Sequence, residues 1–416
     1  GYGARYLKIL HVGKYFSPFS GGLENYMRDA MVALARHGIA STALVHQHSL
    51  SFNTSKESFT ASGYKFLVIR TGMWARLLYT PISPAFPWHL RHIIKSTKPD
   101  ILHLHLPNPS TFWALMLPSA RRLPWVVHWH ADVITSSQGG LMRLFYKLYQ
   151  PFERALLKRA KTIITTSPPY LESSQPLKTW RAKCQVVPLG VDTERYRAAV
   201  TGASPKQALG SRKSPVSDHG SITDTSPLLQ VLAVGRLTYY KGFRYLIEAA
   251  AEAPAVHVHL VGLGDQAEQL KQIAASLKLQ DRVTFHGSLS DAELARLMNS
   301  CDCLCLPSIE RTEAFGMVLL EAMYFGKATI IGDVAGSGMG WIVDDNETGI
   351  KVKPADSAAL ARAFNRLAAN REELTRMGQR GKVKFDQQFE INHAVKTLVD
   401  IYDKIKHENT STAINR

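Results

Sequence analysis

The stretch LQVLAVGRLTYYKGFRYLIEAAA, residues 229–251, combines an apolar run, a loop with glycine and two cations, and a segment of helical period. Apolar side chains dominate Leu229–Val234, as in a strand covered on both faces of a parallel sheet. In Gly242–Ala251 the large apolar residues recur at three- and four-residue intervals, which predicts an amphipathic helix. The stretch therefore predicts one strand, loop and helix unit of an α/β fold.

The same alternation continues on both sides of this unit. Downstream, strands are predicted at Val256–Val261, Arg282–Phe285, Cys303–Leu306, Ala328–Ile331 and Gly349–Val352, with helices at Asp265–Ala275, Asp291–Asn299 and Gly316–Phe325. Upstream, strands are predicted at Tyr6–Val12, Ala43–His46, Tyr64–Ile69, Ile101–His105, Trp125–Trp129, Thr162–Thr166 and Gln185–Pro188, with a helix at Leu23–His37. Two such series are typical of two doubly wound parallel sheets.

The length of 416 residues exceeds what one core usually accommodates, so we expect two domains. They are predicted at residues 1–195 and 229–390, because the segment 196–228 is rich in Ser, Thr, Gly and Pro and indicates a flexible junction or insertion. A C-terminal helix over residues 391–416 could pack on either domain. Since open α/β sheets bind ligands beyond the carboxyl ends of their strands, we expect the active site in a cleft between two facing domains.

The charge is unevenly distributed along the chain. The total is +16, from 50 Lys and Arg against 34 Asp and Glu. Residues 1–200 hold 25 basic and 9 acidic side chains (25 − 9 = +16), and residues 201–416 hold 25 of each. Nucleic-acid binding is disfavoured because the cations form no single run and no zinc-finger, helix-turn-helix or RRM signature is present. An apolar content of 45% excludes an intrinsically disordered chain.

The cysteines and the longest uncharged stretch of the sequence indicate in which cellular compartment the protein is expected. Four cysteines are too few for a disulfide framework, and Cys301, Cys303 and Cys305 are interpreted as core residues because no zinc-type spacing accompanies them. The stretch Ile101–Ala120 could span a bilayer by length, but prolines and histidines interrupt it, so no transmembrane helix is expected. The start of the chain shows no signal-peptide pattern, and we expect a cytoplasmic protein.

The most informative motif is Glu313–Glu321, which follows one predicted strand and enters a helix. Eight positions along an ideal helix turn through about 800°, so both glutamates can border one site only if Glu313 lies in the preceding loop. Free backbone amides would then come from Phe315, Gly316 and Met317. Such a site could hold one carboxylate against sugar hydroxyls, the amides against phosphate and the second carboxylate against a ribose. The alternative is a pair of solvated helix acids.

Glycines and cations mark two further loops. Arg236 and Lys241 follow the strand Leu229–Val234 beside a helix start and can converge on a diphosphate, although two solvated surface charges are the alternative. Gly21 and Gly22 precede the first predicted helix, where glycine lets backbone N–H groups approach an anion or simply forms a tight turn. Gly262 lies in a Gly-Leu-Gly sequence after the next strand, a weak signal alone.

Taken in order, four motifs resemble the retaining glycosyltransferases of family 4, which have the GT-B fold. They are Gly21-Gly22-Leu23-Glu24, Val187-Pro188-Leu189-Gly190-Val191-Asp192, Gly235-Arg236-x4-Lys241-Gly242 and Glu313-x7-Glu321. The likeness extends from about Ile9 to Tyr402. It implies two Rossmann-like domains, the first binding the acceptor and the second a nucleotide-sugar donor. Family members work without a bound metal, so the resemblance implies no metal and no cofactor beyond the donor substrate.

The resemblance also implies roles for the residues at matching positions. Arg236 and Lys241 would neutralise the leaving diphosphate, and Glu321 would hold the donor ribose. Glu313 would bind donor-sugar hydroxyls with the help of the Phe315 and Gly316 amides.

The remaining matches concern the reacting sugar and the nucleobase. His130 matches the family's histidine beside the reacting sugar, and Gly22 would lie near the diphosphate. Phe285 and His286 fall where the family often holds the nucleobase. His128 is interpreted as a strand residue, although the sequence allows either His128 or His130 to face the site, and a core position is the alternative for both.

Three segments refine the resemblance: His128–Asp132, Glu310–Gly316 and Gly336–Trp341 look most like bacterial mannosyl- and rhamnosyltransferases of surface polysaccharide synthesis. They imply that the donor is GDP-mannose or a rhamnose nucleotide rather than a UDP-sugar. They also imply that the acceptor is a lipid-linked saccharide. The alternatives are a rhamnosyl- or UDP-sugar-dependent transferase of the same fold, a nucleotide-sugar epimerase and a non-catalytic carbohydrate-binding protein.

The basic first half also contains many large apolar side chains. They are interleaved with cations in Trp74–Lys95 and Met142–Leu148. This composition favours a peripheral enzyme on the anionic inner face of the cytoplasmic membrane. Ordinary amphipathic helices, with their apolar side in the core, are the alternative.

Overall fold

The computed structural model describes residues 6–17, 22–77, 80–133, 139–201 and 227–414. Gly21 and residues 202–226 of the predicted junction lie outside these ranges. The chain divides into two compact units: the first comprises Gly1–Asp192 with Phe389–Arg416, and the second comprises Thr193–Gln388.

The described strands are β1 (Leu7–Val12), β2 (Ile39–His46), β3 (Ser55–Ala61), β4 (Tyr64–Thr71), β5 (Ala75–Leu77), β6 (Thr80–Ile82), β7 (Ile101–Leu106), β8 (Trp125–Trp129), β9 (Thr162–Thr165), β10 (Cys184–Val186), β11 (Leu229–Val234), β12 (Val256–Val261), β13 (Val283–Gly287), β14 (Cys303–Leu306), β15 (Ala328–Gly332) and β16 (Gly349–Val352).

The described α-helices are α1 (Gly22–Arg36), α2 (Phe86–Thr97), α3 (Pro118–Arg121), α4 (Gly140–Arg159), α5 (Pro168–Ser173), α6 (Glu194–Thr201), α7 (Phe243–Ala251), α8 (Ala267–Ser276), α9 (Asp291–Ser300), α10 (Met317–Tyr324), α11 (Met339–Ile342), α12 (Ser357–Ala369), α13 (Arg371–Gln388) and α14 (Ile391–Ile414). Short 3₁₀ helices occur at Pro109–Met116, Lys178–Lys183 and Tyr239–Lys241.

The first unit contains an eight-stranded sheet in the order β10-β9-β8-β7-β1-β2-β4-β3. Its pairs are parallel except β3 with β4, which is antiparallel, so the expectation of a wholly parallel sheet is wrong here. Strand β3 lies at the edge of the sheet and exposes most of its side chains. Because an edge strand covered by solvent needs no apolar run, its polar sequence gave no strand signal. The hairpin of β5 and β6 was also not predicted.

The second unit contains a six-stranded, wholly parallel sheet in the order β13-β12-β11-β14-β15-β16. This is the doubly wound order of a Rossmann fold, and its strand order reverses between β11 and β14. Loops that follow these two strands therefore leave the sheet side by side. The predicted strands and helices of this unit are confirmed to within a few residues.

The two compact units differ from the predicted domain limits at two places. Helix α6 includes residues 196–201 of the predicted junction and packs on α9 in the second unit, so this part is helical. The C-terminal helix α14 groups with the first unit, where it packs on α1.

Two further sequence expectations concern the compartment. Cys301, Cys303 and Cys305 are all buried, which confirms that they are core residues. Across the described residues, no helix combines the length and apolar character that crossing a bilayer requires.

Candidate active site

Lys241 and Glu313 form an ion pair where the strand order of the second sheet reverses. Lys241 lies in the loop after β11 and Glu313 in the loop after β14. The Lys241 Nζ donates to both carboxylate oxygens of Glu313 at 3.0 Å. Their side chains are only 13% and 10% exposed, so the pair is largely shielded from water.

A glycine permits the close approach of these two loops. Gly242 has φ 69°, in the left-handed region. A Cβ at Gly242 would overlap the carbonyl oxygen of Pro307 in the loop after β14. The Lys-Gly sequence thus serves two purposes, since Lys241 supplies the cation and Gly242 lets its loop reach the neighbouring one.

The charge of Lys241 is maintained by its partners. Burial by itself opposes the cation, but the Glu313 carboxylate and the Tyr240 side chain together raise the pKa of Lys241 above its usual value. Its Nζ lies 5.3 Å from the centroid of the Tyr240 ring. Lys241 is therefore a positioned, permanent cation at neutral pH.

Glu313 lies before helix α10, as the sequence required if both glutamates were to serve one site. Gly316, with φ 92°, is the N-cap residue of this helix. Phe315 is buried, and Met317 is the first helical residue. The Leu319 amide donates to the Gly316 carbonyl at 3.0 Å, whereas helix geometry leaves the amides of Met317 and Val318 without intrahelical acceptors.

The Glu313 loop is braced by a segment that sequence reasoning used only as a sign of resemblance. The Ser337 hydroxyl donates to the Glu313 carbonyl at 2.5 Å, and the Gly338 amide donates to the Ala314 carbonyl at 2.7 Å. Gly336–Trp341 therefore has a structural role in fixing the carboxylate. A serine in a glycine-rich loop was the available signal, but its partner is more than twenty residues away in sequence.

Arg236 and Glu321 have different surroundings from the Lys241–Glu313 pair. Arg236 is exposed, and its side chain makes no hydrogen bond or ion pair to another residue that the structure describes. Glu321 is half-buried in α10. Burial raises the pKa of Glu321, against the opposing effects of Arg195 and of a hydrogen bond from Tyr196, both in α6. The sequence did not indicate these two α6 partners.

The other residues expected to bind the donor lie within or directly after the neighbouring strands. Gly262 follows β12, and a Cβ there would overlap the Gly235 carbonyl oxygen. Phe285 and His286 lie in β13, both half-buried. His286 Nε2 lies 2.9 Å from His259 Nδ1.

In the first unit, His130 follows β8 and is 8% exposed. Burial lowers the pKa of His130 to about 3, so it is a neutral imidazole at neutral pH. Its Nε2 lies 2.9 Å from Nδ1 of His105. His128 lies within β8, as expected, and is fully buried. Gly22 is the first residue of α1.

The second unit thus collects most of the predicted residues at the carboxyl ends of four adjacent strands, β13, β12, β11 and β14. Two cations and a helix N-terminus can stabilise a phosphate group without another ion. The adjacent carboxylate can accept hydrogen bonds from hydroxyl groups. This combination suits a substrate that carries both a diphosphate and a sugar.

Comparison with known proteins identifies glycosyltransferase domains in both halves of the chain. Residues 21–190 match the glycosyl transferase 4-like domain, and residues 223–384 match the glycosyl transferases group 1 family. Over 398 residues the chain is 30% identical to O-antigen chain mannosyltransferase C of Escherichia coli, covering 95% of this chain and 98% of that protein. It is 27% identical over 388 residues to D-rhamnosyltransferase WbpZ of Pseudomonas aeruginosa, covering 92% of each chain.

Among solved structures, sucrose-phosphate synthase of Thermosynechococcus elongatus aligns with a TM-score of 0.74 at 21% identity, covering 96% of this chain and 99% of that chain. At this identity the likeness concerns the fold alone. The sequence matches and the two Rossmann-like sheets agree: the chain belongs to the glycosyltransferases that join a glycosyl transferase 4-like domain to a group 1 domain, and it is an enzyme with the GT-B fold.

Proposed function

We propose that the protein is a retaining hexosyltransferase that works without a bound metal and moves mannose from GDP-mannose to a lipid-linked saccharide in bacterial polysaccharide synthesis. The observation that carries this proposal is the shielded Lys241–Glu313 pair at the reversal point of the second sheet. It joins a cation for a leaving diphosphate to a carboxylate for sugar hydroxyls. Arg236, exposed on the same loop as Lys241, supplies the second cation.

In the proposed reaction, the bond from the sugar C1 to the diphosphate oxygen breaks and a bond from C1 to the acceptor oxygen forms on the same face. The acceptor hydroxyl proton passes to the departing phosphate. Lys241 donates to both carboxylate oxygens of Glu313 and would place its positive charge beside the leaving diphosphate. Glu313 acts as a hydrogen-bond acceptor and forms no covalent bond to the sugar. Glu321 would hold the ribose, and Phe285, His286 and Gly262 would surround the nucleobase and diphosphate.

The choice of donor rests on the relatives. One is named a mannosyltransferase of the O-antigen chain and another a D-rhamnosyltransferase. The test is a panel of GDP-mannose, GDP-rhamnose, UDP-glucose and UDP-N-acetylglucosamine, scored by nucleoside diphosphate release with and without a lipid-linked acceptor. Acceptor-dependent release from GDP-mannose is expected. Preference for GDP-rhamnose favours the rhamnosyltransferase alternative. An epimerised sugar nucleotide, or no release from any donor, contradicts the proposal.

The metal-independent step is tested in the same assay with excess EDTA. Because two side-chain cations and the amides of the α10 N-terminus neutralise the leaving group, turnover is expected to be unchanged by the chelator. Loss of turnover that added Mg²⁺ or Mn²⁺ restores would contradict this part. The anomeric configuration of the product, read by proton NMR, tests retention independently.

The proposed lipid-linked acceptor requires contact with a membrane, and α4 provides a suitable surface. Four apolar side chains, spaced three and four residues apart, are each at least half exposed: Leu141, Leu144, Leu148 and Phe152. Exposed cations on the same helix are Arg143, Lys147, Arg154 and Lys158. An adjoining side of α4 buries Tyr149, Leu156 and Leu157, so the exposed apolar stripe is additional to the core-facing one. Each cation near an anionic bilayer contributes roughly 1 kcal/mol.

The other basic and apolar region divides between surface and core. Trp74, Leu77 and Trp88 are exposed, whereas Ile93 is fully buried. The proposed location is the cytoplasmic side of the inner membrane, with α4 and these aromatic groups at the lipid surface. Sedimentation with phosphatidylglycerol vesicles at low salt tests it.

Matched variants sharpen the vesicle test. Leu144→Gln with Leu148→Gln should reduce sedimentation with anionic vesicles, while Val383→Gln, which removes a similarly exposed apolar group from α13 in the second unit, should not. Absence of wild-type binding at low salt, or equal loss in both variants, contradicts the membrane surface.

A further inference from the structure

Five buried histidines lie together on one face of the first sheet. They are His11 in β1, His103 and His105 in β7, His128 in β8 and His130 directly after it. Residues two apart on a strand point to the same face, and β8, β7 and β1 are neighbours in the sheet. None of the five is more than 8% exposed. Neither the composition nor the proposed transfer reaction accounts for so many buried imidazoles.

The five rings form two hydrogen-bonded chains. In the first chain, which we call the His130 chain, Nε2 of His130 lies 2.9 Å from Nδ1 of His105, and Nε2 of His105 lies 3.2 Å from Nδ1 of His11. In the second chain, Nδ1 of His128 lies 2.9 Å from Nε2 of His103, whose Nδ1 lies 2.5 Å from the Tyr402 hydroxyl. The chains stack on each other, with His128 and His130 centroids 4.2 Å apart.

The ring geometry favours hydrogen bonding over a metal site. One ring nitrogen each of His105, His128 and His130 lie within 4.8 Å of one another, close enough to consider an ion. However, the His105 and His130 rings are within 7° of parallel and their centroids are 5.2 Å apart, while their nitrogens are 2.9 Å apart. These values place both nitrogens near the line that joins the centroids. The two lone-pair directions therefore run along this line and do not converge on a point beside it.

The number of protons limits what the His130 chain can do. Burial lowers the pKa of His11 and His130 to about 3 and that of His105 well below its usual value, so all three rings are neutral at pH 7. Three neutral imidazoles carry three N–H groups, and two of these lie in the two hydrogen bonds. The third is at one end of the chain, on Nδ1 of His130 or on Nε2 of His11. Neither atom has a partner among the described residues.

We propose that His105 and His11 are positioning residues that engage Nε2 of His130, so that Nδ1 of His130 is the ring nitrogen that meets the substrate. This rests on the proposed function, in which His130 lies beside the reacting sugar. Two arrangements of the three N–H groups keep all three rings neutral and both hydrogen bonds intact: Nδ1 of His130 is a donor in one and an acceptor in the other.

The first experiment compares two substitutions of His130 itself. An asparagine amide reaches about as far as Nδ1 and a glutamine amide about as far as Nε2. His130→Asn is therefore expected to keep at least about tenfold more kcat than His130→Gln, since misplacing a contact by about 1 Å can cost up to about 100-fold. A higher kcat for His130→Gln overturns the proposal.

The second experiment uses the neighbouring chain as a matched control. His105→Phe and His103→Phe remove the same residue type from the same strand at similar burial, but only His105 contacts His130 through its nitrogen. His105→Phe is expected to lower kcat about 10- to 100-fold with an unchanged donor KM, and His105→Asn, which can still bond Nε2 of His130, to recover part of it. His103→Phe should leave kcat unchanged. Equal losses in His105→Phe and His103→Phe overturn the proposal.

Two measurements on the unmodified protein keep the proposal testable if variants fail to fold. Long-range ¹H–¹⁵N correlation on histidine-labelled protein should show neutral rings for His11, His105 and His130 at pH 7. Elemental analysis of the purified enzyme should find no bound transition metal. An imidazolium in the chain, or one zinc ion per chain lost on a His105 substitution, overturns it. If no sugar nucleotide is turned over, the proposed function fails, and the NMR measurement still tests the chain.

Discussion

The two units accommodate buried polar groups in different ways. The second pairs opposite charges, as in Lys241 with Glu313, and ends its own histidine chain on a side-chain amide. The first buries five neutral imidazoles, and no carboxylate among the described residues hydrogen-bonds to any of their rings. A fixed charge pair is ready for an anion, whereas a neutral chain can offer a donor or an acceptor. The difference matches the proposed division of labour between diphosphate and reacting sugar.

The proton positions are determined in one unit and open in the other. Gln230 donates its amide N–H to the Leu228 carbonyl at 3.2 Å, so its Oε1 accepts from Nε2–H of His259 at 2.7 Å. Nδ1 of neutral His259 must then accept from Nε2–H of His286, which leaves Nδ1 of His286 as an acceptor. Among the residues that the structure describes, no such amide lies at either end of the His130 chain. The Gln230 amide therefore fixes the tautomers of His259 and His286, whereas the His130 chain has two possible sets of tautomers.

The largest expected effect is on turnover at the charge pair. Lys241→Ala and Glu313→Ala should each lower kcat by roughly 100- to 1,000-fold, because each removes a preorganised group at the leaving diphosphate or the donor sugar. Arg236→Ala should also lower turnover by orders of magnitude. The control is Arg244→Ala, an exposed cation paired with Glu248 on α7, which should leave kcat unchanged. Near-normal turnover in folded Arg236→Ala would contradict its assignment to the leaving group.

The free energy of unfolding should respond differently to substitutions in the Lys241–Glu313 pair and at the exposed Arg236. Lys241→Met leaves the Glu313 carboxylate shielded and unpaired, so the free energy of unfolding should fall by about 2–4 kcal/mol. The double variant Lys241→Met, Glu313→Leu should recover much of this loss, and Arg236→Ala should cost little. Urea unfolding followed by circular dichroism measures all three. Equal stabilities of the single and double variants would show that the pair is effectively solvated.

Acid should destabilise the first unit through its histidines. Folding lowers the pKa of His11 and His130 from 6.5 to about 3, so the unfolded chain binds protons that the folded chain does not between these values. The free energy of unfolding should therefore be fully retained above about pH 6.5. It should fall as the pH drops toward 3, by up to about 1.4 kcal/mol per pH unit for each histidine.

Urea unfolding at pH 7.5 and 5.5 measures this dependence. The fluorescence of buried Trp125 and Trp129, both in β8, reports on the first unit. A pH-independent unfolding midpoint would contradict the neutral, buried state of the cluster.

The smallest expected effect concerns the anchored chain of the second unit. Gln230→Leu removes the acceptor that orients His259 and through it His286, and should weaken nucleoside diphosphate binding by about 1 kcal/mol, or about fivefold in Kd. Gln230→Glu keeps an acceptor for His259 and should bind more nearly as the wild type does. Isothermal titration with GDP measures both. Equal affinities of Gln230→Leu and the wild type would show that the anchor is dispensable for nucleotide binding.

Sequence reasoning succeeded where a local pattern had a local consequence. The continuous apolar runs of the second sheet predicted its strands because strands buried on both faces need them. The helix arithmetic required Glu313 to precede the helix if both glutamates were to border one site, and Glu313 does lie before α10. Strand β3 was missed because its polar edge sequence lacks that pattern. Ser337 and the α6 partners of Glu321 could not be inferred, since each contact joins residues distant along the chain.

The sequence by itself determined two series of β–α units, the order of the glycosyltransferase motifs and the placement of all surplus charge in the first half. It also contained four His-x-His segments, and the alternation of a strand puts His103 and His105 on one face of β7, and His128 and His130 on one side of β8 and its end. Only the tertiary structure decided that β8, β7 and β1 are neighbours and that His130, His105 and His11 therefore form a chain. Strand order in a sheet follows from how separate segments pack, and the alternation within any one strand carries no information about it.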